Sequence, residues 1–108
     1  MKKKQIVRQK FNEECLTRDE GFCKVCKERA TEVHHILDRR FLPDELKYVK
    51  DNGISLCNDC HRLAEKFHQA EGKSWSHGLH PDDLYFLIRS TWRTSKWPEL
   101  RTSYYEIV

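Results

Sequence analysis

The sequence predicts a small α+β domain in which a zinc-stapled core carries a helix on either side. Two Cys-x-x-Cys pairs, Cys23/Cys26 and Cys57/Cys60, predict one tetrahedral structural zinc, because each pair supplies two sulfurs from a single tight turn. Apolar residues at helical spacing predict helices before and after the pairs. Short runs of β-branched and apolar residues between the pairs predict the strands.

An apolar stripe before the first cysteine pair predicts an N-terminal helix over residues 4–19. The stripe gives this helix one face to bury. Its members are Ile6, Val7, Phe11, Cys15 and Leu16. Because Cys15 lies on the apolar face, we expect a small buried thiol there rather than a fifth metal ligand or a nucleophile.

Two strands are predicted between the cysteine pairs. Residues 32–37 combine β-branched and apolar side chains at strand length. Residues 54–56 form a second short run that we expect to pair back on the first. The segment between them, residues 38–53, is predicted to be a long charged loop with a helical turn, and it ends in the strong turn dipeptide Asn52-Gly53.

A helix is predicted from about Cys60 to Ala70, directly after the second strand. Asn58 and Asp59 offer N-caps for this helix, because their side-chain oxygens can accept hydrogen bonds from its first free N–H groups. The residues expected on its inner face are Leu63, Ala64 and Phe67.

The region 81–108 is predicted to contain a C-terminal helix that begins at Pro81, followed by an irregular aromatic tail. The helix is indicated by the spacing of Leu84, Leu87 and Ile88. The tail carries Trp97, Tyr104 and Tyr105, which we expect to pack back or to face a partner. No repeat or linker divides the chain, so we expect a single domain over residues 1–108 with its motif core at 17–70.

Composition limits the classes of protein that the chain fits. With 108 residues, of which 34% are charged, the apolar core is thin, and structural zinc would add folding free energy. A net charge of +3 fits a polyanionic partner without demanding one. The chain has five cysteines and no apolar run after its lysine-rich start. We therefore expect no secretory signal, no membrane partner and a reducing, cytoplasmic location.

The segment between and after the cysteine pairs resembles a known family. His34-His35-Ile36, the run from Asn52 to Leu56 and the run from Cys57 to His61 are similar to the HNH nucleases of the ββα-metal superfamily, in the branch with a structural zinc. The resemblance covers roughly residues 17–70. It implies a treble-clef-like ββα-metal core and a DNA endonuclease that leaves a 5′-phosphate.

Cleaving a phosphodiester requires a base that deprotonates water and a divalent ion that absorbs charge on the phosphate and the leaving oxygen. His35 is the natural base, because an unperturbed imidazole titrates at about neutral pH. Adjacent strand residues point to opposite faces, so His34 and His35 serve different tasks unless the strand twists or bulges. The resemblance implies that His34 binds the catalytic metal and that Asn52 holds the His35 ring through a hydrogen bond.

The resemblance also implies that His61, fixed by its neighbour Cys60 on the zinc, is the second ligand of the catalytic metal. Glu65 lies four residues further on the same helical face and is a candidate third ligand. A carboxylate at that position favours a hard ion such as Mg²⁺ or Mn²⁺.

DNA is the expected partner, and the candidate backbone contacts are Arg39, Arg40, Lys3 and Lys4. The oligomeric state is open, and we assume a monomer. Small HNH proteins of this kind occur in phage and mobile elements, which is an association only. Two other functions stay open: a non-catalytic zinc module that binds nucleic acid, and a protein-interaction adaptor.

Two further patterns are not assigned a function. The run from Cys57 to His61 also matches the attachment pattern of c-type haem. That interpretation needs an exported chain and leaves the first cysteine pair unexplained. The remaining histidines, His68, His77 and His80, are expected to be solvated or in loops, with no function.

Overall fold

The fold is organised around an antiparallel two-stranded hairpin. The computed structural model describes residues 3–89, apart from the side chains of Lys3, Lys4 and Glu45. In this part of the chain the elements are α1 (Lys3–Arg18), β1 (Glu32–His35), β2 (Gly53–Leu56), α2 (Asn58–Gln69) and α3 (Pro81–Leu87). The predicted α+β class is confirmed.

Within residues 3–89, no helix has both the length and the apolar character that crossing a bilayer requires. The aromatic tail predicted at the C-terminus, with Trp97, Tyr104 and Tyr105, lies outside the described residues.

The hairpin is shorter than the sequence predicts. Strand β1 ends at His35 instead of residue 37, and His34 and His35 pair with Ile54 and Gly53 of β2. The reason is a side chain: the Asn52 amide binds both the N–H and the carbonyl of Leu37, at 3.0 and 3.1 Å. The backbone polar groups of Leu37 are therefore satisfied outside the ladder.

Helix α1 buries only part of its predicted stripe. Phe11 and Cys15 are buried, whereas Ile6 and Val7 are exposed by 52% and 41%. The buried pair lies directly over Gly53 of β2, where an added Cβ would be 2.5 Å from Phe11 Cζ and 2.6 Å from Cys15 Sγ. The helix can approach the hairpin this closely because position 53 has no side chain.

Helix α2 starts earlier than predicted, and its cap differs. It begins at Asn58, and the N-cap is Cys57, whose sulfur accepts a hydrogen bond from the Cys60 N–H at 3.4 Å. The prediction that Asn58 or Asp59 caps this helix is wrong, because the turn that presents both sulfurs of the pair places Cys57 at the cap. Leu63 is also misplaced by the prediction, since it is 42% exposed.

The apolar core fills the space between the hairpin, α2 and α3. Ala64 and Phe67 of α2 are buried there, as predicted, together with Leu84 of α3. Helix α3 begins at the predicted Pro81, and a capping box between His80 and Asp83 closes its first turn. His80 lies in the loop, as predicted, and its side chain also caps α3.

An ion pair ties the end of α1 to strand β2. The Asp19 carboxylate is bound by two Arg18 nitrogens, each at 2.8 Å, and accepts the Ser55 N–H at 2.9 Å. Arg18 also donates to the Gly53 carbonyl at 2.6 Å. Burial of Asp19 opposes its ionisation, but the Arg18 and Ser55 hydrogen bonds outweigh burial and lower the pKa of this carboxyl.

We expect Asp19→Asn to lower the free energy of unfolding at pH 7 by about 2 kcal/mol, because it removes a buried charge-assisted network. The folded-state pKa is depressed, so the wild-type contribution is complete above the unfolded-state pKa and is lost as the pH falls through the folded-state value. Urea titrations of both proteins at neutral and acidic pH measure the difference. A difference that grows in acid would contradict this assignment.

Candidate metal centres and active site

The four paired cysteines meet at one point. The sulfur atoms of Cys23, Cys26, Cys57 and Cys60 all lie within 4.8 Å of one another, and the Cys26 and Cys57 sulfurs are 3.5 Å apart. Thiolates about 2.3 Å from a tetrahedral zinc stand roughly 3.8 Å from one another, so the donor set fits that ion. The predicted cysteine grouping is confirmed.

Backbone N–H groups stabilise the thiolate form of Cys23, which is the form that binds a cation. The Cys26 N–H points at the Cys23 sulfur at 3.5 Å, within the first of two turns that we call knuckles, Cys23–Cys26 and Cys57–Cys60. Burial opposes ionisation of Cys23, but N–H groups of the knuckles outweigh it and lower its pKa to about 7. Cys15 is buried and lies outside the cluster, as predicted, and burial raises the pKa of its thiol to about 12.

A second group of possible metal ligands lies between β1 and α2. His34 Nδ1, a His61 nitrogen and a Glu65 carboxylate oxygen all lie within 4.8 Å of one another. Glu65 Oε1 is 3.2 Å from His34 Nδ1 and 3.2 Å from His61 Nε2. The structure thus brings together the three residues that the sequence predicts as ligands of the catalytic metal.

The His34 nitrogen is the atom that best distinguishes this group from an ordinary polar cluster. The ring is 1% exposed, and Nδ1 has no aligned hydrogen-bond partner among the described residues although Glu65 Oε1 is close. Burial lowers the pKa of His34 to about 4, which keeps the ring neutral and its lone pair available. An orphaned buried acceptor facing a carboxylate fits a divalent ion between them.

Glu32 is a neighbour of the metal-ligand candidates that the sequence analysis did not single out. Its carboxylate lies 3.1 Å from His61 Nδ1, on the opposite side of the ring from Glu65. The hydrogen bond with Glu65 and the hydrogen bond with Glu32 outweigh burial and raise the pKa of His61, so this ring lies between two carboxylates. The signal was present in the sequence: Glu32 and His34 are two apart on one strand and so share a face.

His35 points away from His34 into a different environment. Its ring stacks on Phe11 of α1, with centroids 4.8 Å apart, and Tyr48 packs edge-on against it at 5.7 Å. Nε2 donates a hydrogen bond to the Lys47 carbonyl at 2.8 Å. Burial lowers the pKa of His35 despite that hydrogen bond.

The prediction that Asn52 holds the His35 ring is wrong. The Asn52 side chain is fully buried and binds the Leu37 backbone, and its Oδ1 also accepts the Tyr85 hydroxyl at 2.6 Å. The Lys47 carbonyl takes the orienting role instead. Every residue has a backbone carbonyl, so the sequence pattern does not show which carbonyl binds His35.

One cavity of about 310 Å³ lies beside β1 and α2. Its lining includes His35 of β1 together with His61 and Glu65 of α2. The base candidate and two of the three metal-ligand candidates therefore line one space, although His34 is not part of its lining.

The sequence predicts that His68 is solvated or lies in a loop, and the structure contradicts this prediction. It is 8% exposed, its ring stacks on His34 with centroids 5.1 Å apart, and Nε2 donates to the His35 carbonyl at 2.9 Å. His68 therefore contacts both His34 and His35, on the side of the α2 helix. His77, in contrast, is exposed as expected.

The predicted DNA-contacting residues differ in their surroundings. Arg40 forms an ion pair with Asp38 at 2.6 Å, so its charge is balanced locally. Arg39 donates to the Tyr48 hydroxyl at 3.2 Å. Lys3 and Lys4 lie at the start of α1, and their side chains are outside the described part.

Residues 23–67 match the HNH endonuclease family. This segment, which is less than half of the chain, is similar to an HNH domain. The match spans both cysteine pairs, the hairpin and nearly all of α2, and the family resemblance expected from the sequence is thereby confirmed. Comparison with curated proteins and with solved structures gives no match. An HNH domain with a four-cysteine cluster indicates a nuclease or nucleic-acid-binding function with bound zinc.

We expect removal of zinc to unfold the HNH domain, because metal binding worth about 10 kcal/mol or more is coupled to folding in such sites. Titration with cobalt measures metal binding at the cysteine cluster separately from binding at a histidine–carboxylate site, since only thiolates give a strong sulfur-to-cobalt charge-transfer band. Cys26→Ser should weaken that band and the helical circular dichroism. Cys15→Ser is the control and should change neither, because Cys15 lies outside the cluster.

We expect Asn52→Ala to lower the free energy of unfolding by about 3 kcal/mol, because the Leu37 N–H and carbonyl lose their buried partner. Tyr85→Phe removes the hydroxyl that donates to Asn52 and should cost about 1 kcal/mol. Urea denaturation of the zinc-loaded proteins measures both changes. Unchanged stability of Asn52→Ala with impaired DNA cleavage would restore the orienting role predicted from the sequence.

Proposed function

We propose that this protein is a metal-dependent DNA endonuclease that hydrolyses or nicks phosphodiester bonds and leaves a 5′-phosphate. The observation that carries the proposal is the buried His34 Nδ1, which lies 3.2 Å from Glu65 Oε1 without an aligned hydrogen bond, in a group of possible metal ligands that also includes His61. Two imidazoles and a carboxylate gathered in this way fit a divalent ion, which a domain that only binds nucleic acid does not need.

His34, His61 and Glu65 would hold the catalytic ion, and the carboxylate favours Mg²⁺ or Mn²⁺. When bound, such an ion supplies Lewis-acid stabilisation of charge on the phosphate and the leaving oxygen. Glu32 contributes by fixing the His61 ring, so that Nε2 faces the other two ligands.

His35 would act as the general base through Nδ1. Its Nε2 must carry a proton to donate to the Lys47 carbonyl, which leaves the Nδ1 lone pair to accept a proton from water. The Phe11 ring stacked on one face limits rotation of the imidazole. The base is therefore held in one tautomer and one orientation before substrate binds.

We expect His35→Ala to lower the rate of supercoiled-plasmid nicking by a factor of about 100 or more, because a positioned general base contributes about that much. The assay compares wild type and variant with Mg²⁺ or Mn²⁺ added to zinc-loaded protein. His77→Ala is the matched control, since that histidine is exposed and remote from the cavity. Zinc content of each protein is measured in parallel.

Three results would change the assignment. Equal nicking by wild type and His35→Ala would mean that another group is the base. If neither protein nicks but both bind DNA, the non-catalytic zinc module predicted as an alternative would replace the nuclease. Absence of DNA binding at low salt would favour the protein-interaction adaptor.

A further inference from the structure

Two arginines and a tyrosine converge beside the candidate active site. Arg8 of α1 donates from Nε to the Tyr48 hydroxyl at 2.9 Å, and Arg39 of the loop donates from Nη1 to the same oxygen at 3.2 Å. The three residues are 40 and 9 positions apart in sequence, so only the fold brings them together. We call Arg8, Arg39 and Tyr48 the arginine–tyrosine cluster.

The charge of this cluster is not balanced by a carboxylate. Elsewhere in the described part of the chain, Arg18 and Arg40 each form an ion pair with an aspartate. Arg8 and Arg39 share only the neutral phenol oxygen, and no ion pair within 4.0 Å joins either of them to a described carboxylate. Two guanidinium groups held close together repel each other unless an anion lies between them.

The cluster opens into the cavity that holds the catalytic candidates. The cavity of about 310 Å³ is lined by Arg8, Arg39 and Tyr48 and also by His35, His61 and Glu65. Tyr48 packs against the His35 ring, so the cluster and the base are in direct contact. A ligand in this cavity meets metal-ligand candidates from α2 and guanidinium groups from α1 and the loop.

We propose that Arg8, Arg39 and Tyr48 form a subsite for a backbone phosphate of the substrate strand, next to the phosphate that is cleaved. The proposal rests on the proposed nuclease function. Guanidinium groups bind phosphate oxygens through paired N–H donors, and each arginine has N–H groups left after its bond to Tyr48. Tyr48 holds both side chains in place before the phosphate arrives.

The electrostatics of Tyr48 agree with this arrangement. Partial burial raises its pKa, but the hydrogen bond from Arg8 and the charge of Arg39 outweigh burial and lower the pKa of the phenol. The site therefore favours negative charge at the point where the two guanidinium groups meet. Contacts of this kind fix the position of the strand and carry no base specificity.

DNA binding without turnover tests the subsite separately from catalysis. The probe is a short fluorescein-labelled DNA duplex, and binding to zinc-loaded protein is followed by anisotropy over a range of salt concentrations with no other divalent ion. We expect Arg8→Gln/Arg39→Gln to weaken binding about tenfold or more and to reduce the slope of log affinity against log salt by about one.

Two controls separate this site from general loss of charge or of folding. Arg29→Gln also removes an exposed positive charge but lies outside the cavity, and it should leave the salt slope nearly unchanged. Tyr48→Phe removes the shared acceptor and keeps both charges, so it should weaken binding with little change in slope. Circular dichroism and zinc content are measured for every variant.

A probe with uncharged linkages tests whether the contact is to phosphate. We expect methylphosphonate linkages throughout one strand to weaken binding by wild type, and to cause a smaller loss in the double arginine variant, which already lacks the contact. Additive losses, equal salt slopes for double variant and wild type, or a loss matched by Arg29→Gln would overturn the proposal. The binding assay measures no cleavage, so its result tests the phosphate subsite even if the nuclease assay shows no activity.

Discussion

The convergence of four cysteine sulfurs is the constraint on which the rest of the structure depends. The first knuckle and the start of α2 are held at one point, so the hairpin between them is anchored at both ends. Cys57 is both a member of the sulfur cluster and the N-cap of α2. Strand β2 therefore passes into the helix with no loop between them. His61 and Glu65 then follow at positions fixed by helical geometry, facing β1.

The hairpin divides the chemistry between its two sides. His34 faces α2 and the metal-ligand candidates, while His35 faces α1 and stacks on Phe11. Helix α1 therefore forms part of the surroundings of the candidate site although it lies outside the HNH match. Its close approach depends on Gly53, since any side chain there would collide with Phe11 and Cys15.

Buried polar side chains hold the long loop between the strands. Asn52 binds the backbone of Leu37, and Tyr85 of α3 binds Asn52 in turn. Helix α3 thus supports the loop that carries Lys47, whose carbonyl orients His35. In this way the outer helices, which contribute no residue to the HNH pattern, determine the precision of its central histidine.

The sequence by itself determined the zinc staple, the α+β class, the order of the elements and the set formed by His34, His61 and Glu65. The spacing within each cysteine pair and between His61 and Glu65 is local, so one turn or one helix fixes which side chains share a face. The family resemblance, and not local spacing, joined His34 to that set. The tertiary structure alone decided the partners of those residues: Glu32 on His61, the Lys47 carbonyl on His35, Leu37 on Asn52 and the meeting of Arg8 with Tyr48. Such contacts join distant parts of the chain, and several use backbone atoms that every residue possesses, so no local pattern encodes them.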